Sequence, residues 1–544
     1  MLAAMLAQIE RIDTPSVDWG ALAPLLALMV GAALMLLVDG LVTAKVPRGL
    51  YAGVTVALAL GSMGAAVPLW REVQDADRGP FGVLAGAIGI DGFSVFFIFV
   101  IGAAVILSAL LADGYLRREG LEGVELYVLI LLSASGGLIM AAANDLIVTF
   151  LGLEILSIAV YVLAAMHRRR RGSQEAALKY FVLGAFSSAF FLYGIALVYG
   201  ATGTTRLDGI AAYVGPAGSG GATFSGDVSP SQILGGAAGT PALLLAGLAL
   251  LLVGFGFKVA AVPFHSWTPD VYQGSPSPVV AFMASGVKAA GFAGLLRVFL
   301  EAFGGYRDDW RPFVYVLAVA TLVVGAVLAA VQTDVKRMLA YSSINHAGFV
   351  LLGVQAASDR GTSAALFYLA AYTFMVAGSF GIVTLVSRRG DGATTVEDFR
   401  GLARRQPAVA LTFTLFLLAQ AGVPLTSGFF AKFEVLQAAV DADAAWLAVV
   451  AMVTAVIAAF LYLRIIGAMY LGDAPAEGEA DGRADLDRGR VPLGAGIALV
   501  IAAAFTLVVG LFPEPLAQTA DDATPDAVAT GRDPARGGEP VAAP

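Results

Sequence analysis

Apolar runs of about twenty residues, separated by short polar connections, recur along almost the whole chain. A run of that length is what an α-helix needs to cross a hydrocarbon layer of ~30 Å. The pattern predicts fourteen spans, at 20–40, 50–70, 89–112, 124–143, 144–166, 176–200, 241–267, 276–301, 311–332, 336–356, 362–387, 406–440, 443–471 and 491–512. Only Asn144-Asp145 divides the fourth from the fifth. Transmembrane strands would be ~10 residues long with alternating polarity, so run length rules out a barrel. The expected fold class is all-α, a polytopic membrane protein of about 14 transmembrane helices. Two segments break the pattern. Residues 201–240, rich in Gly, Ser and Ala from about 215, read as an external loop, and 513–544 reads as a disordered, dispensable tail. The first span lacks a basic leader and a small-residue cleavage site, so no cleaved signal peptide is expected.

Composition agrees. The chain is 58% hydrophobic and 14% charged, with a mean hydropathy of +0.81, whereas soluble chains carry ~25% charged residues. With no cysteine, it holds no thiolate-ligated cluster, disulfide or Cys-based zinc site. Three histidines (His167, His265, His346) are too scattered for an ordinary haem or metal centre. Neither GxGxxG nor GxxxxGK[ST] occurs complete. No redox centre, nucleotide site or nucleic-acid partner is expected of this chain. Arginine and lysine set the orientation. One set of alternate loops, including Arg117, Arg118, Arg168 to Arg171, Lys336, Arg337 and Arg400, holds 18 positive charges, and the other side, with both termini, holds nine. Both termini are therefore expected outside the cytoplasm.

Six positive charges fall inside spans: Lys179, Lys258, Lys288, Arg297, Lys432 and Arg464. A lysine at mid-membrane costs roughly 2.5–3.5 kcal/mol on insertion scales, so such residues need partners, water or loss of the proton. Burial weakens the hold of a lysine on its proton. With Glu154 in mid-span, Lys179, Lys258, Lys288 and Lys432 form the kind of array along which a proton could hop. Snorkelling is the reading for Arg297 and Arg464 near span ends, and it stays open for Lys179 and Lys432 taken singly. Pro263 and Pro424 each remove a helix hydrogen bond, freeing the carbonyls of Val259 and Gln420 near Lys258 and Lys432. A break at that depth is tolerated only against protein or water, although either proline alone could be a packing kink. The broken spans are the seventh and twelfth. An odd offset makes them cross in opposite directions, the mark of an inverted repeat. Residues 1–123 then form an N-terminal three-span segment, 124–301 and 311–471 two inverted five-helix repeats, and 491–512 a final span. The two half-channels are expected to meet through Lys288 and His346. His265 reads as a satisfied core residue and His167 as a solvated anchor, while Glu434 and Gln420 are further relay candidates.

EAALKYFVLGAFSSAFFLYGIALVYG (175–200), FKVAAVPFHSWTPDVYQGSPSPVVAF (257–282), MLAYSSINHAGF (338–349) and GVPLTSGFFAKF (422–433) resemble the antiporter-like subunit N family of proton-pumping NADH:quinone oxidoreductase, respiratory complex I. The match runs from about residue 20 to 512. Lys432, where subunit M usually has glutamate, and the absence of spans beyond the fourteenth separate it from subunits M and L. The resemblance implies that Glu154 and Lys258 form the switch of the first half, Lys288 the central site, Lys432 the exit, and Lys179 an auxiliary charge acting on the Glu154 pair. It also implies partner subunits M and K, flavin, iron–sulfur clusters and quinone in other subunits, and a bacterial plasma membrane. The alternatives are a subunit of a multi-subunit Na+/H+ antiporter and a purely structural membrane subunit.

Overall fold

The computed structural model describes residues 17–41, 49–214, 241–387, 390–472 and 491–524. All fourteen predicted spans are helical. Twelve are long and apolar enough to cross a membrane whole. The other two are the helix carrying the polar run SSINH and the broken helix around Pro424, the two that depart from simple hydropathy.

The N-terminal segment is α1 (Trp19–Leu41), α2 (Leu50–Val73) and α3 (Gly92–Glu119). Asp91 caps α3 by accepting from Ser94 N at 2.7 Å, and Gly120 ends it at φ 65°. Between α2 and α3 lies an antiparallel hairpin of β1 (Phe81–Val83) and β2 (Ile88–Ile90), a small departure from the all-α expectation. The first repeat comprises α4 (Glu125–Ala142), α5 (Leu146–Ala164), α6 (Arg171–Thr202), the short α7 (Leu207–Val214), the broken pair α8 (Pro241–Val259) and α9 (Trp267–Gly274), and α10 (Ser277–Ala302). The second comprises α11 (Arg307–Ala330), α12 (Val335–Ala356), α13 (Asp359–Val386), the broken pair α14 (Pro407–Ala421) and α15 (Ser427–Asp441), and α16 (Ala445–Leu471). α17 (Leu493–Leu511) and α18 (Glu514–Asp522) close the chain.

Two expectations need correction. The segment read as loop 201–240 begins with helix α7, whose Leu207 and Ile210 are fully buried; residues 215–240 lie outside the described residues. The segment read as a disordered tail begins with helix α18. It packs on α13 and α3: Asp521 accepts from Ser363 Oγ, and Gln74 Nε2 donates to Asp522 O at 2.8 Å. Both helices are too short to show in an apolar-run pattern.

The repeat relation is visible in two matching clasps. At the start of α5, Asp145 caps Ile147 N at 2.7 Å and accepts from Thr205 Oγ1 at 2.6 Å, while Leu146 N donates to Thr205 O and Leu207 N to Asn144 O. At the start of α12, Asp334 caps Arg337 N at 3.0 Å and accepts from Thr394 Oγ1 at 2.5 Å, while Val335 N donates to Thr394 O and Val396 N to Thr333 O. One offset, 189 residues (145 to 334, 205 to 394), relates the aspartates, the threonines and the backbone pairs, and the amide matching Arg337 is Val148, which Asp145 also caps at 3.4 Å. Five crossings separate the two clasps, so they lie at opposite membrane faces. Each cap should be worth about 1–2 kcal/mol. Asp145→Ala and Asp334→Ala are expected to lower thermal stability in detergent to a similar degree; a shift in only one variant would show that the clasps are not equivalent.

The packing is inverted relative to a soluble protein at its rim. Leu37, Phe186 and Val456 project outward from α1, α6 and α16 at 56%, 65% and 74% exposure, as expected where bilayer or a neighbouring subunit replaces water. At the centre, α10 is buried from Ser277 to Leu300. It contains two π-helical turns, Met283–Val287 and Arg297–Ala302. The first ends immediately before Lys288, and such bulges gather at functional positions.

Candidate functional site

In the first half, Lys258 ends α8 and is 3% exposed. α8 stops there because Ala260 turns to φ 63° and the chain runs into Pro263. Side chains take up the freed backbone: Trp267 Nε1 donates to Phe257 O at 3.0 Å and Val262 N to Thr321 Oγ1 at 2.9 Å. Lys258 Nζ donates to Ser157 Oγ at 2.8 Å. Glu154, one turn earlier on α5, accepts from Ser188 Oγ. The expected pair is therefore close but not in direct contact. Ser157, Ser187, Ser188, Tyr161 and Lys258 border a cavity of about 10 Å³, roughly the room one water requires.

In the centre, Lys288 is 3% exposed and its Nζ donates to both Ser343 O and Ser343 Oγ at 2.7 Å. Gly291, one turn further along α10, gives space to the Lys258 stem: a Cβ there would stand 3.1 Å from Lys258 Cγ. On α12, His346 Nδ1 lies 2.6 Å from Tyr368 Oη, its Nε2 lies 3.1 Å from Tyr462 Oη, and its ring packs at 4.7 Å on Tyr372. Ser342 Oγ continues the chain to Tyr462 Oη at 2.5 Å and to Gln420 Oε1 at 3.4 Å. Gln420 Nε2 donates to Ser379 Oγ at 2.6 Å.

In the second half, Lys432 Nζ donates to Ala421 O at 2.9 Å and stands 4.9 Å over the Phe349 ring. The carbonyl that the Pro424 break offers to the lysine is thus Ala421's, not Gln420's. α14 ends at Ala421 because Gly422 adopts φ 90°, and a Cβ at Gly422 would press on Lys432 Cδ at 3.0 Å. Among the described residues no hydrogen bond joins Lys258 to Lys288, Lys288 to His346, or His346 to Lys432. Hydroxyls are their partners instead: Ser157 for Lys258, Ser343 for Lys288, and Tyr368 and Tyr462 for His346. Sequence reasoning named none of the four as a partner: Ser343 lies within the visibly polar run SSINH, but nothing there says which side chain it meets, and single hydroxyls such as Ser157, Tyr368 and Tyr462 barely change the hydropathy of an apolar run.

Several expected roles change. Lys179 is 42% exposed and pairs with Glu175 and Asp270, each at 2.7 Å, rather than with the Glu154 group. Asp270 also binds Arg337 at 2.6 Å. It thereby ties α9 to α6 and α12 across the two halves, a junction invisible from spacing. Arg297 does not snorkel. Its side chain is 1% exposed and bonds to Asp91 at 2.6 Å, Glu301 at 3.0 Å and Ala141 O at 2.7 Å, since the second π-turn directs it inward. Arg464 instead caps the end of α11 at Ala330 O and Gln332 O. His265 is only half buried and its Nδ1 has no partner among the described residues, so it is not a satisfied core residue. His167 is paired with Glu119 at 3.2 Å rather than solvated. Glu434, midway along α15, lies 3.8 Å from Arg360.

Buried lysines at helix breaks, in two halves related by inversion, define a polytopic subunit of the ion-translocating, antiporter-like class. Residues 143–458 match the family described as NADH:quinone oxidoreductase/Mrp antiporter, transmembrane. NADH-quinone oxidoreductase subunit N of Trichlorobacter lovleyi is 40% identical over 508 residues, covering 93% of this chain and 97% of that protein. The Salinispora arenicola protein of the same name is 44% identical over 535 residues, covering 93% and 98%. Among solved structures, a chain of respiratory complex I from Thermus thermophilus superposes with a TM-score of 0.71 at 32% identity, covering 91% of this chain and 98% of that one. A chain of the Mrp complex from a Dietzia species shares the fold, with a TM-score of 0.78 at 22% identity, covering 95% and 98%. The chain belongs to the subunit N family of NADH-quinone oxidoreductase.

Proposed function

We propose that this chain carries protons across a bacterial plasma membrane as subunit N of a proton-pumping NADH:quinone oxidoreductase, driven by quinone reduction in other subunits. One observation carries the reading: Lys258, Lys288 and Lys432 are all buried, and each takes a neutral oxygen as its hydrogen-bond partner. An ammonium held by a carboxylate keeps its proton, whereas one held by a hydroxyl or carbonyl can give it up. The relay runs Glu154, Lys258, Lys288, His346 and Lys432, with water and hydroxyls between, and Lys179 acts through Asp270 at the junction of the halves.

Glu154 moving towards Lys258 would favour the charged lysine; moving away would release the proton. A thousand-fold change in proton affinity is ~4 kcal/mol, and carrying one charge across 100 mV needs ~2.3 kcal/mol. The switch is large enough for the task. Flavin, iron–sulfur clusters and quinone would sit in partner subunits. Subunits M and K would be the membrane neighbours, and both termini would lie outside the cytoplasm.

Gentle detergent purification of the tagged chain from its own membranes tests the assignment. Flavin and NADH-driven quinone reduction are expected to travel with it. Arrival with other transporter subunits, no NADH activity and a sodium dependence would instead establish an antiporter subunit.

A further inference from the structure

The 189-residue offset of the clasps can be carried along the helices they anchor. It places Ser343 on α12 where Glu154 stands on α5, and His346 where Ser157 stands. In the first half the acid is present and the lysine bonds to the hydroxyl one turn beyond it. In the second half a serine occupies the acid's position, and Lys288 from α10 binds that serine twice, through its hydroxyl and its carbonyl. No carboxylate pairs with Lys288 among the described residues. The titratable groups around this contact are His346 on α12, Tyr372 on α13 and Tyr272 on α9.

We propose that Ser343 is the positioning residue of the central lysine, holding Lys288 by a neutral hydroxyl at the helix position where the first half places the Glu154 carboxylate, so that Lys288 remains a transit site and not a trap. The inference rests on the relay reading above. A serine hydroxyl accepts from an ammonium and donates to a free amine, so the geometry serves both protonation states without rearrangement. A carboxylate at the same position would favour only the charged state, because opposite charges in a buried site attract strongly. The two halves would then differ in purpose: the first has a switch that changes proton affinity, and the second passes the proton on. Loss of the symmetry-related acid is what makes the centre permeable in both directions.

The test uses the whole complex in membrane vesicles, reading the rate of NADH-driven proton translocation and the pH dependence of that rate. Ser343→Thr is expected to retain pumping. Ser343→Ala, which keeps the backbone carbonyl but not the hydroxyl, is expected to slow the coupled rate about five-fold. Ser343→Glu is expected to lower it by about ten-fold or more at neutral pH, with partial recovery at higher pH as the trapped proton is released. Assembly is checked by NADH oxidation with an artificial acceptor. If Ser343→Glu does not assemble, the Ala and Thr variants decide: equal rates in both would overturn the proposal. Lys288→Met separates the two levels. If it pumps normally, the relay reading itself fails; if it is inactive while Ser343→Glu pumps with an unaltered pH profile, only the role of Ser343 fails.

Discussion

Lys258→Ala is expected to abolish proton translocation by this subunit, or reduce it on the order of a hundred-fold for the steps that use the lysine, while the complex still assembles. The side chain is buried at a helix end, its Nζ hydrogen-bonds among the described residues to Ser157 Oγ, and it borders a small cavity that is also lined by Ser188, the partner of Glu154. Removing it takes away the one group on α8 able to hold a proton at that depth. The stem also fills space beside Gly291, so alanine alone would mix loss of packing with loss of charge. Lys258→Met keeps most of the volume and removes the ammonium, and the two variants should fail alike. NADH-driven acidification of inverted vesicles is the measurement. Normal acidification in either variant would sink the relay.

Arg297→Ala is expected to act on assembly instead. Its guanidinium, 1% exposed, is held by Asp91, Glu301 and Ala141 O, and it also faces the Phe93 ring at 5.3 Å. Removing one partner from a buried ion pair leaves the others uncompensated, at a cost of about 3–5 kcal/mol, a large part of the roughly 5–15 kcal/mol that keeps a typical protein folded. Asp91 is also the cap of α3, so the damage would spread to the N-terminal segment. Arg297→Lys should rescue only in part, because one ammonium cannot reproduce the planar fork. Subunit content of the purified complex and its melting temperature report the effect. Unchanged values for the alanine variant would show that the triad is not structural.

Much of this architecture is legible in the sequence because hydropathy reports what bilayer insertion demands. Every long apolar run became a helix, and the two proline breaks fell beside Lys258 and Lys432. What a hydropathy pattern cannot report is which faces of two helices meet. The partners of the lysines, Ser157 on α5 and Ser343 on α12, are set by helix packing and carry no local signal. Tyr368 and Tyr462 read as apolar until His346 lies between them. Lys179 and Arg297 were misread for a related reason: depth along a helix was visible, but not the acids that Asp270 and Asp91 bring from elsewhere in the fold. The clasps were hidden because, among their own residues, Asp145 and Asp334, and Thr205 and Thr394, are the identical pairs across the offset, too few to stand out before their hydrogen bonds are seen.

The two π-turns of α10 give its length a meaning of its own. Each accommodates one residue more than an α-helical turn would, and one residue corresponds to a rotation of about 100° about the helix axis. The helix therefore works as a shaft with one phase slip inside it and a second at its end: Ser277–Phe282 faces one way, Lys288–Leu296 is turned relative to it, and the Arg297–Ala302 π-turn winds the last stretch of the helix. Lys288 follows directly on the first slip and Arg297 opens the second. Deleting a single small residue from Met283–Val287 would leave every charged side chain in the protein intact, yet swing the central lysine away from Ser343.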